Sequence, residues 1–259
     1  MIVAGVDAGA VSTKAVILSD EKMVGSCILP TGHDIPTTAR RVTESALKTA
    51  QLTMGDLKHT TATGYGRNVI PFSDYVVTEI ICHAAGANWV VPAARTIIDI
   101  GGQDSKVIRV DGAGRVLEFS MNDKCAAGTG RFLEVMAKVL DLDMGEFAEI
   151  SLLSKNPLRI SSVCTVFAES EVVGLRARKC AREDIIAGLH KAAISRVAVM
   201  ARHVGIEDVV VFTGGVAKNK AMVKALEDET GHKVVIPGDP QIVGALGAAL
   251  IALRKAASG

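Results

Sequence analysis

Two common phosphate-holding signatures are missing from this 259-residue chain. It has no G-x-x-x-x-G-K-[ST] loop and no G-x-G-x-x-G turn after a strand, which excludes the P-loop and the dinucleotide-fold ways of holding phosphate. No two cysteines form a C-x-x-C pair, so a zinc knuckle and a thioredoxin-type redox site are excluded too. Long hydrophobic runs are lacking. The longest, Ile242 to Leu253, falls short of the ~20 residues that a membrane-spanning helix needs. No basic stretch followed by a long apolar one opens the chain, so no secretory signal is visible and the cytoplasm is the expected compartment. Charge is almost balanced at +1, which gives no reason to expect nucleic acid or an anionic membrane as partner. Five cysteines, an odd number in a reducing compartment, argue against a disulfide framework.

What is present is a repeat. Asp7 to Lys14 reads D-A-G-A-V-S-T-K and Asp99 to Lys106 reads D-I-G-G-Q-D-S-K. Both fit the frame D-x-G-[AG]-x-x-[ST]-K, and each is flanked by apolar runs that predict strand, glycine loop, strand. Such loops offer backbone N–H groups that can form an anion-binding nest. Two of them facing each other would clamp a polyphosphate, which predicts a duplicated nucleotide binder. The periodicity predicts strands alternating with helices in both halves, hence an α/β architecture. Helices are expected over Thr37–Gln51, Thr78–Trp89 (with Glu79 and His83 four apart), Gly130–Leu140, Val166–Leu175, Asp184–Val204, Lys220–Glu229 and from Val243 onward.

Three constellations carry chemistry. Asp7 and Asp99, at strand ends, suit a Mg²⁺ ion held together with phosphate oxygens. Ser12, Thr13 and Ser105 supply hydroxyl donors and Lys14 a neutralising charge; the bland alternative for each aspartate is a turn carboxylate. Next, Thr213-Gly214-Gly215-Val216-Ala217 follows a strand and precedes a helix, so backbone can pass close to a flat ring, as an adenosine pocket requires. Last, Cys125 and Cys164 each lie shortly before an expected helix, where a thiol is pushed toward the metal-binding thiolate. Two thiols cannot hold a four-iron cluster, but a symmetric dimer supplies four. The alternative is that they pack as small hydrophobes, the better reading for Cys27, Cys82 and Cys180.

Taken together, these stretches resemble the BadF/BadG/BcrA/BcrD ATPase family, and within it the activators of 2-hydroxyacyl-CoA dehydratases. The resemblance rests on Thr63-Gly64-Tyr65-Gly66-Arg67, Ile98 to Asp104, Met121 to Phe132, Cys164 to Glu171, Thr213 to Ala217 and Gly244 to Ala249. It implies a duplicated actin/hexokinase/Hsp70-type ATPase fold, two α/β domains (residues 1–94 and 95–259) flanking a nucleotide cleft, with the last helix able to pack back on the first. It further implies an ATPase coupled to one-electron transfer. Asp7, Asp99 and Gln103 take catalytic positions. Gly9, Ala10, Val11, Ser12, Thr13, Lys14, Gly101, Gly102, Gln103, Gly214, Gly215, Val216 and Gln241 hold ATP and Mg²⁺. Cys125 and Cys164 bind one [4Fe-4S] cluster shared across a homodimer. Ferredoxin or flavodoxin would be the electron donor, and a dehydratase, a benzoyl-CoA reductase core or a double-cubane cluster protein the acceptor. One departure stands out: Ala10-Val11 replaces the Ser-Thr of close relatives.

Two rivals follow from the same residues. A small-molecule kinase of this fold would need a carboxylate base, for which Glu79 is the candidate. An ATP-binding scaffold would leave the cysteines structural.

Overall fold

The computed structural model describes residues 1–161 and 164–258. Ser162 and Val163, part of the segment read around Cys164, lie outside the described residues.

The first half opens as a three-strand meander, β1 (Ile2–Ala8), β2 (Ser12–Ser19) and β3 (Lys22–Pro30), followed by helix α1 (Ile35–Thr49). Asp34 starts α1 by accepting from the Thr37 N–H. Strand β4 (His59–Thr63) and the short β5 (Tyr75–Val76) complete a sheet of order β3-β2-β1-β4-β5. After helix α2 (Glu79–Val90) the pattern repeats: β6 (Thr96–Ile100), β7 (Ser105–Val110) and β8 (Val116–Asn122) form a second meander. Helices α3 (Gly130–Val139), α4 (Met144–Ser151), α5 (Thr165–Ala177) and α6 (Arg182–Val204) follow. Then come β9 (Val210–Thr213), α7 (Lys220–Thr230), β10 (Val234–Val235) and α8 (Val243–Ser258). The second sheet has the order β10-β9-β6-β7-β8. β6 thus takes the place of β1, β7 of β2 and β9 of β4, with the same parallel and antiparallel pairings. The duplication anticipated from the loops extends to the whole sheet.

Periodicity alone did not anticipate α4. Its signal is the capping box, in which Asp143 accepts from the Gly145 and Glu146 N–H groups while Glu146 accepts from the Asp143 N–H.

Two helices fill the space between the sheets. Helix α8 buries Ala245, Leu246, Ala249 and Ala252 against Val3, Val16 and Leu18 of the first sheet. Helix α2 buries Ile80, Ala84 and Ala87 against Ile97, Ile108 and Val211 of the second. The two helices meet through glycine: a Cβ on Gly247 would overlap the Cys82 carbonyl. This contact is what lets the N-terminus of α8 and the face of α2 carrying Glu79 and His83 reach the same place. Among the described residues, no helix is long and apolar enough to cross a membrane.

Candidate nucleotide and cluster site

A hairpin sets its own register, and both hairpins place an aspartate opposite a lysine. Asp7 of β1 pairs with Lys14 of β2, and Lys14 Nζ stands 3.1 Å from Asp7 Oδ2. Asp99 of β6 pairs with Lys106 of β7, at 3.2 Å. The neighbouring parallel strand then brings Thr63 beside Asp7 and Thr213 beside Asp99. Each threonine is followed by a glycine in the left-handed region, Gly64 at φ +90° and Gly214 at φ +87°. A side chain there would strain the backbone and press on the aspartate: a Cβ on Gly64 would stand 2.5 Å from Asp7 Oδ1, and one on Gly214 3.0 Å from Asp99 Oδ1. Each half therefore carries the set aspartate, lysine, threonine, glycine, of which Thr63 and Gly64 had no role assigned from sequence.

Asp7, Lys14, Asp99, Lys106 and Gly214 of the two sets line one cleft of about 1380 Å³, with Thr63, Gly64 and Thr213 buried beside them. Asp7, Gly9, Ala10, Val11, Ser12 and Lys14 line one wall; Asp99, Gly101, Gly102, Gln103, Gly214, Gly215, Val216 and Gln241 line the other. The loops touch at their tips, since a Cβ on Gly102 would overlap Val11. Two hydroxyls proposed as phosphate donors do not reach the cleft. Thr13 is fully buried, its Oγ1 2.9 Å from Thr31 Oγ1, and Thr31 in turn donates to the Gly9 carbonyl at 2.7 Å. Ser105 is fully buried against Met200. Strand alternation explains both: a residue next to a cleft-facing lysine points the other way. Thr13 instead shapes the first loop from behind.

The halves differ in how tightly they hold their carboxylate. Asp99 Oδ1 accepts from Thr213 Oγ1 at 2.8 Å and faces His83 Nδ1 at 3.5 Å, while Oδ2 takes Lys106. Burial would raise its pKa, but His83, Lys106 and the Thr213 hydrogen bond outweigh that and hold Asp99 well below the usual carboxylate range. Lys106 is 2% exposed and also contacts Asp104 and, at 2.9 Å, Glu79 Oε2. Burial opposes its charge, yet three carboxylates raise its pKa above an ordinary lysine, so it stays an ammonium. Glu79 moves the other way. Burial lifts its pKa, Lys106 opposes, and Asp104 and Asp7 reinforce the rise. The buried Cys82 thiol is pushed up to about 12 by burial and stays protonated. Glu79, Lys106, Asp104 and Arg67 all line the cleft.

The described residues include no group of three or more His, Cys, Asp or Glu converging on one point. A magnesium ion between Asp7 and Asp99 would therefore take most ligands from phosphate oxygens and water, which is how Mg²⁺ is usually bound. At the Gly214–Gly215 end of the cleft, Gly214 N–H donates to the Pro240 carbonyl, Lys218 Nζ donates to Gln241 Oε1 at 2.6 Å, and Gln241 lies over Gly215. Gly215 itself is exposed on this wall.

The cysteines divide by exposure. Cys125 and Cys164 are exposed; Cys27 and Cys180 are half-buried and Cys82 is buried. Cys164 is the N-cap residue of α5. Cys125 corrects the expectation of a thiol at a helix end: α3 begins at Gly130 with Thr129 as its cap. Its first N–H groups are already used, Gly130 N–H donating to the Gly101 carbonyl and Arg131 N–H to the Gly102 carbonyl. Cys125 sits instead in the preceding turn, held by Asn122 Nδ2, which donates to the Cys125 and Ala127 carbonyls at 2.9 and 3.0 Å. It also lines the same cleft as the two glycine loops. Two exposed thiols suit half of a four-thiolate ligand set.

The sequence profile of the BadF/BadG/BcrA/BcrD ATPase family matches residues 4–252. The chain is 45% identical to the 2-hydroxyisocaproyl-CoA dehydratase activator of Clostridioides difficile over 99% of its own length and 96% of the relative's. It superposes on component A of the Acidaminococcus fermentans (R)-2-hydroxyglutaryl-CoA dehydratase with a TM-score of 0.95, at 43% identity and covering 99% of each chain. A ROK hexokinase of Thermus thermophilus, at 16% identity and TM-score 0.55 with both chains fully covered, shares the fold alone.

Proposed function

The chain belongs to the BadF/BadG/BcrA/BcrD ATPase family, and we propose that it is an ATP-dependent activator that passes single low-potential electrons to a 2-hydroxyacyl-CoA dehydratase. The observation that carries this reading is the doubled aspartate–lysine pair on one cleft, on a chain that exposes only two of its five cysteines, one of them on the cleft wall. In this reading residues 1–94 and 95–259 are the two jaws, with α8 returned to the first. The protein works in the cytoplasm as a homodimer loaded by ferredoxin or flavodoxin.

The residues divide the work. Backbone N–H groups of the two loops cradle the β- and γ-phosphates. Lys14 neutralises phosphate charge, and Asp7 and Asp99 orient the water shell of Mg²⁺. Gly214, Gly215, Val216 and Gln241 hold the nucleoside, and Gln103, on the second loop of the cleft wall, takes a catalytic position beside the phosphates. Glu79, raised by burial, orients the attacking water and accepts its proton. Cys125 and Cys164, with the same pair of a second copy, hold a [4Fe-4S] cluster, which when bound supplies the one-electron carrier. The turn bearing Cys125 leads into α3, and α3 is hydrogen-bonded to the second phosphate loop. A shift of that loop on nucleotide binding therefore moves the Cys125 turn with it.

The test combines two assays on anaerobically purified protein. Asp7→Asn, Lys14→Ala and Gly101→Val are each expected to lose magnesium-dependent ATP hydrolysis while staying folded. The reduced wild-type protein is expected to activate a dehydratase only with ATP. Wild-type hydrolysis in all three variants would remove the clamp. Activation without nucleotide, or a colourless iron-free protein, would remove the electron-donor reading.

A further inference from the structure

His83 is 6% exposed, and among the described residues its Nδ1 has no hydrogen-bond partner although it faces Asp99 Oδ1 at 3.5 Å. Native folds seldom leave a buried ring nitrogen unmade unless a second state or a ligand completes it. A carboxylate oxygen only accepts, so a bond here requires the proton on Nδ1. The other edge of the ring reaches the first half. A Cβ on Gly244, at the start of α8, would stand 2.9 Å from His83 Nε2 and 3.3 Å from Asp7 Oδ2. One imidazole thus faces Asp99 of the second half and, beside Gly244, the same space as Asp7 of the first, carried by the helix that also carries Glu79.

We propose that His83 is a positioning residue for Asp99: when the halves close on the magnesium nucleotide, its Nδ1–H donates to Asp99 Oδ1 and fixes the second carboxylate relative to the first. With Thr213 on the same oxygen and Lys106 on the other, Asp99 is then held from three sides. Asp7, paired with Lys14, keeps more freedom to follow the ion. The inference rests on the reading of Asp7 and Asp99 as carboxylates of the nucleotide's metal.

The experiment compares His83→Asn, His83→Gln, His83→Ala and Asp99→Asn in the full chain. Magnesium-dependent binding of a non-hydrolysable ATP analogue is read by calorimetry, alongside ATP hydrolysis and melting temperature. An asparagine amide nitrogen stands where Nδ1 stands; a glutamine amide reaches the place of Nε2. His83→Asn is expected to keep the magnesium affinity within about threefold, while His83→Gln and His83→Ala lose roughly tenfold or more, the usual effect of removing a residue that orients a metal's carboxylate. Binding of the analogue without magnesium stays unchanged. Equal losses in all three histidine variants, or losses that track melting temperature, would make His83 a packing residue and overturn the proposal. A loss in Asp99→Asn with none in His83→Gln and His83→Ala overturns it alone. Wild-type magnesium dependence in Asp99→Asn overturns the metal reading and this proposal with it.

Discussion

The Lys106 ammonium, rooted in the second sheet, lies 2.9 Å from the carboxylate of Glu79 at the start of α2. This ion pair joins the helix that separates the sheets to the floor of the cleft. Its lysine is buried and its glutamate half-buried, so removal and neutralisation have different consequences.

Lys106→Met leaves Glu79, Asp99 and Asp104 without their shared cation. Breaking a buried pair from one side costs about 3–5 kcal/mol, so the variant should melt several degrees lower. Glu79→Gln keeps an acceptor for Lys106 and removes the basic oxygen. It should melt near wild type and hydrolyse ATP ~10²-fold more slowly, the usual worth of a positioned base. Melting curves and steady-state hydrolysis check both; an unshifted Lys106→Met protein would show that the ammonium is dispensable.

Stability should fall in mild acid because of His190. Its Nδ1 bonds the Ile186 carbonyl, its Nε2 faces the Asn219 amide, and burial lowers its pKa from 6.5 to about 4. A carbonyl only accepts, so Nδ1 carries the proton and Nε2 accepts from Asn219. The folded state resists a second proton that the unfolded chain accepts. The contribution is complete above pH 6.5 and is lost as pH falls from there toward about 4. Urea midpoints measured across that window should drop for wild type and drop less for His190→Gln.

Cysteine substitutions should separate by position. Cys125→Ser and Cys164→Ser should each abolish iron binding, which in the intact protein is close to two irons per chain if one four-iron cluster is shared by two copies. Cys27→Ser, Cys82→Ser and Cys180→Ser should leave it unchanged. Because Cys125 lines the nucleotide cleft and Cys164 does not, Cys125→Ser should also shift nucleotide affinity measurably more than Cys164→Ser. Iron analysis and nucleotide titration decide; iron lost with Cys82→Ser or Cys180→Ser would be incompatible with the assignment.

The approach of α8 to α2 should not tolerate a methyl group. Gly247→Ala would drive Cβ into the Cys82 carbonyl, an overpacking of about 1–3 kcal/mol or more. Gly238→Ala, with open space around it, should stay within about 0.5 kcal/mol of wild type. Because α8 also supports the first loop's sheet, the loss in Gly247→Ala should be accompanied by weaker nucleotide binding.

What could be read beforehand was local. The lysine lies seven residues after the aspartate in both copies, and a tight hairpin places such residues opposite each other whatever surrounds it. Helix periodicity located α3, α6 and α7 for the same reason, while α4 was announced only by its Asp143–Glu146 cap. Gly64 had a visible counterpart in Gly214, since both follow a threonine at a strand end, but their shared positive φ appears only in the folded chain.

By itself, then, the sequence determined the two loops, the hairpin pairing that supplies each aspartate with a lysine, and the cysteines that stand outside any apolar pattern, because each depends on residues within one turn or one hairpin. Only the tertiary structure decided which side chains face the cleft and which meet across it. Thr13 and Ser105 turn inward because the pleat alternates. Glu79 and His83 reach Lys106 and Asp99 because α2 is wedged between two sheets. Cys125 joins the nucleotide wall because α3 spends its first N–H groups on the second phosphate loop. Those contacts join segments remote in the chain, and burial gives them their energy by removing water from charges that hairpin pairing alone would leave solvated.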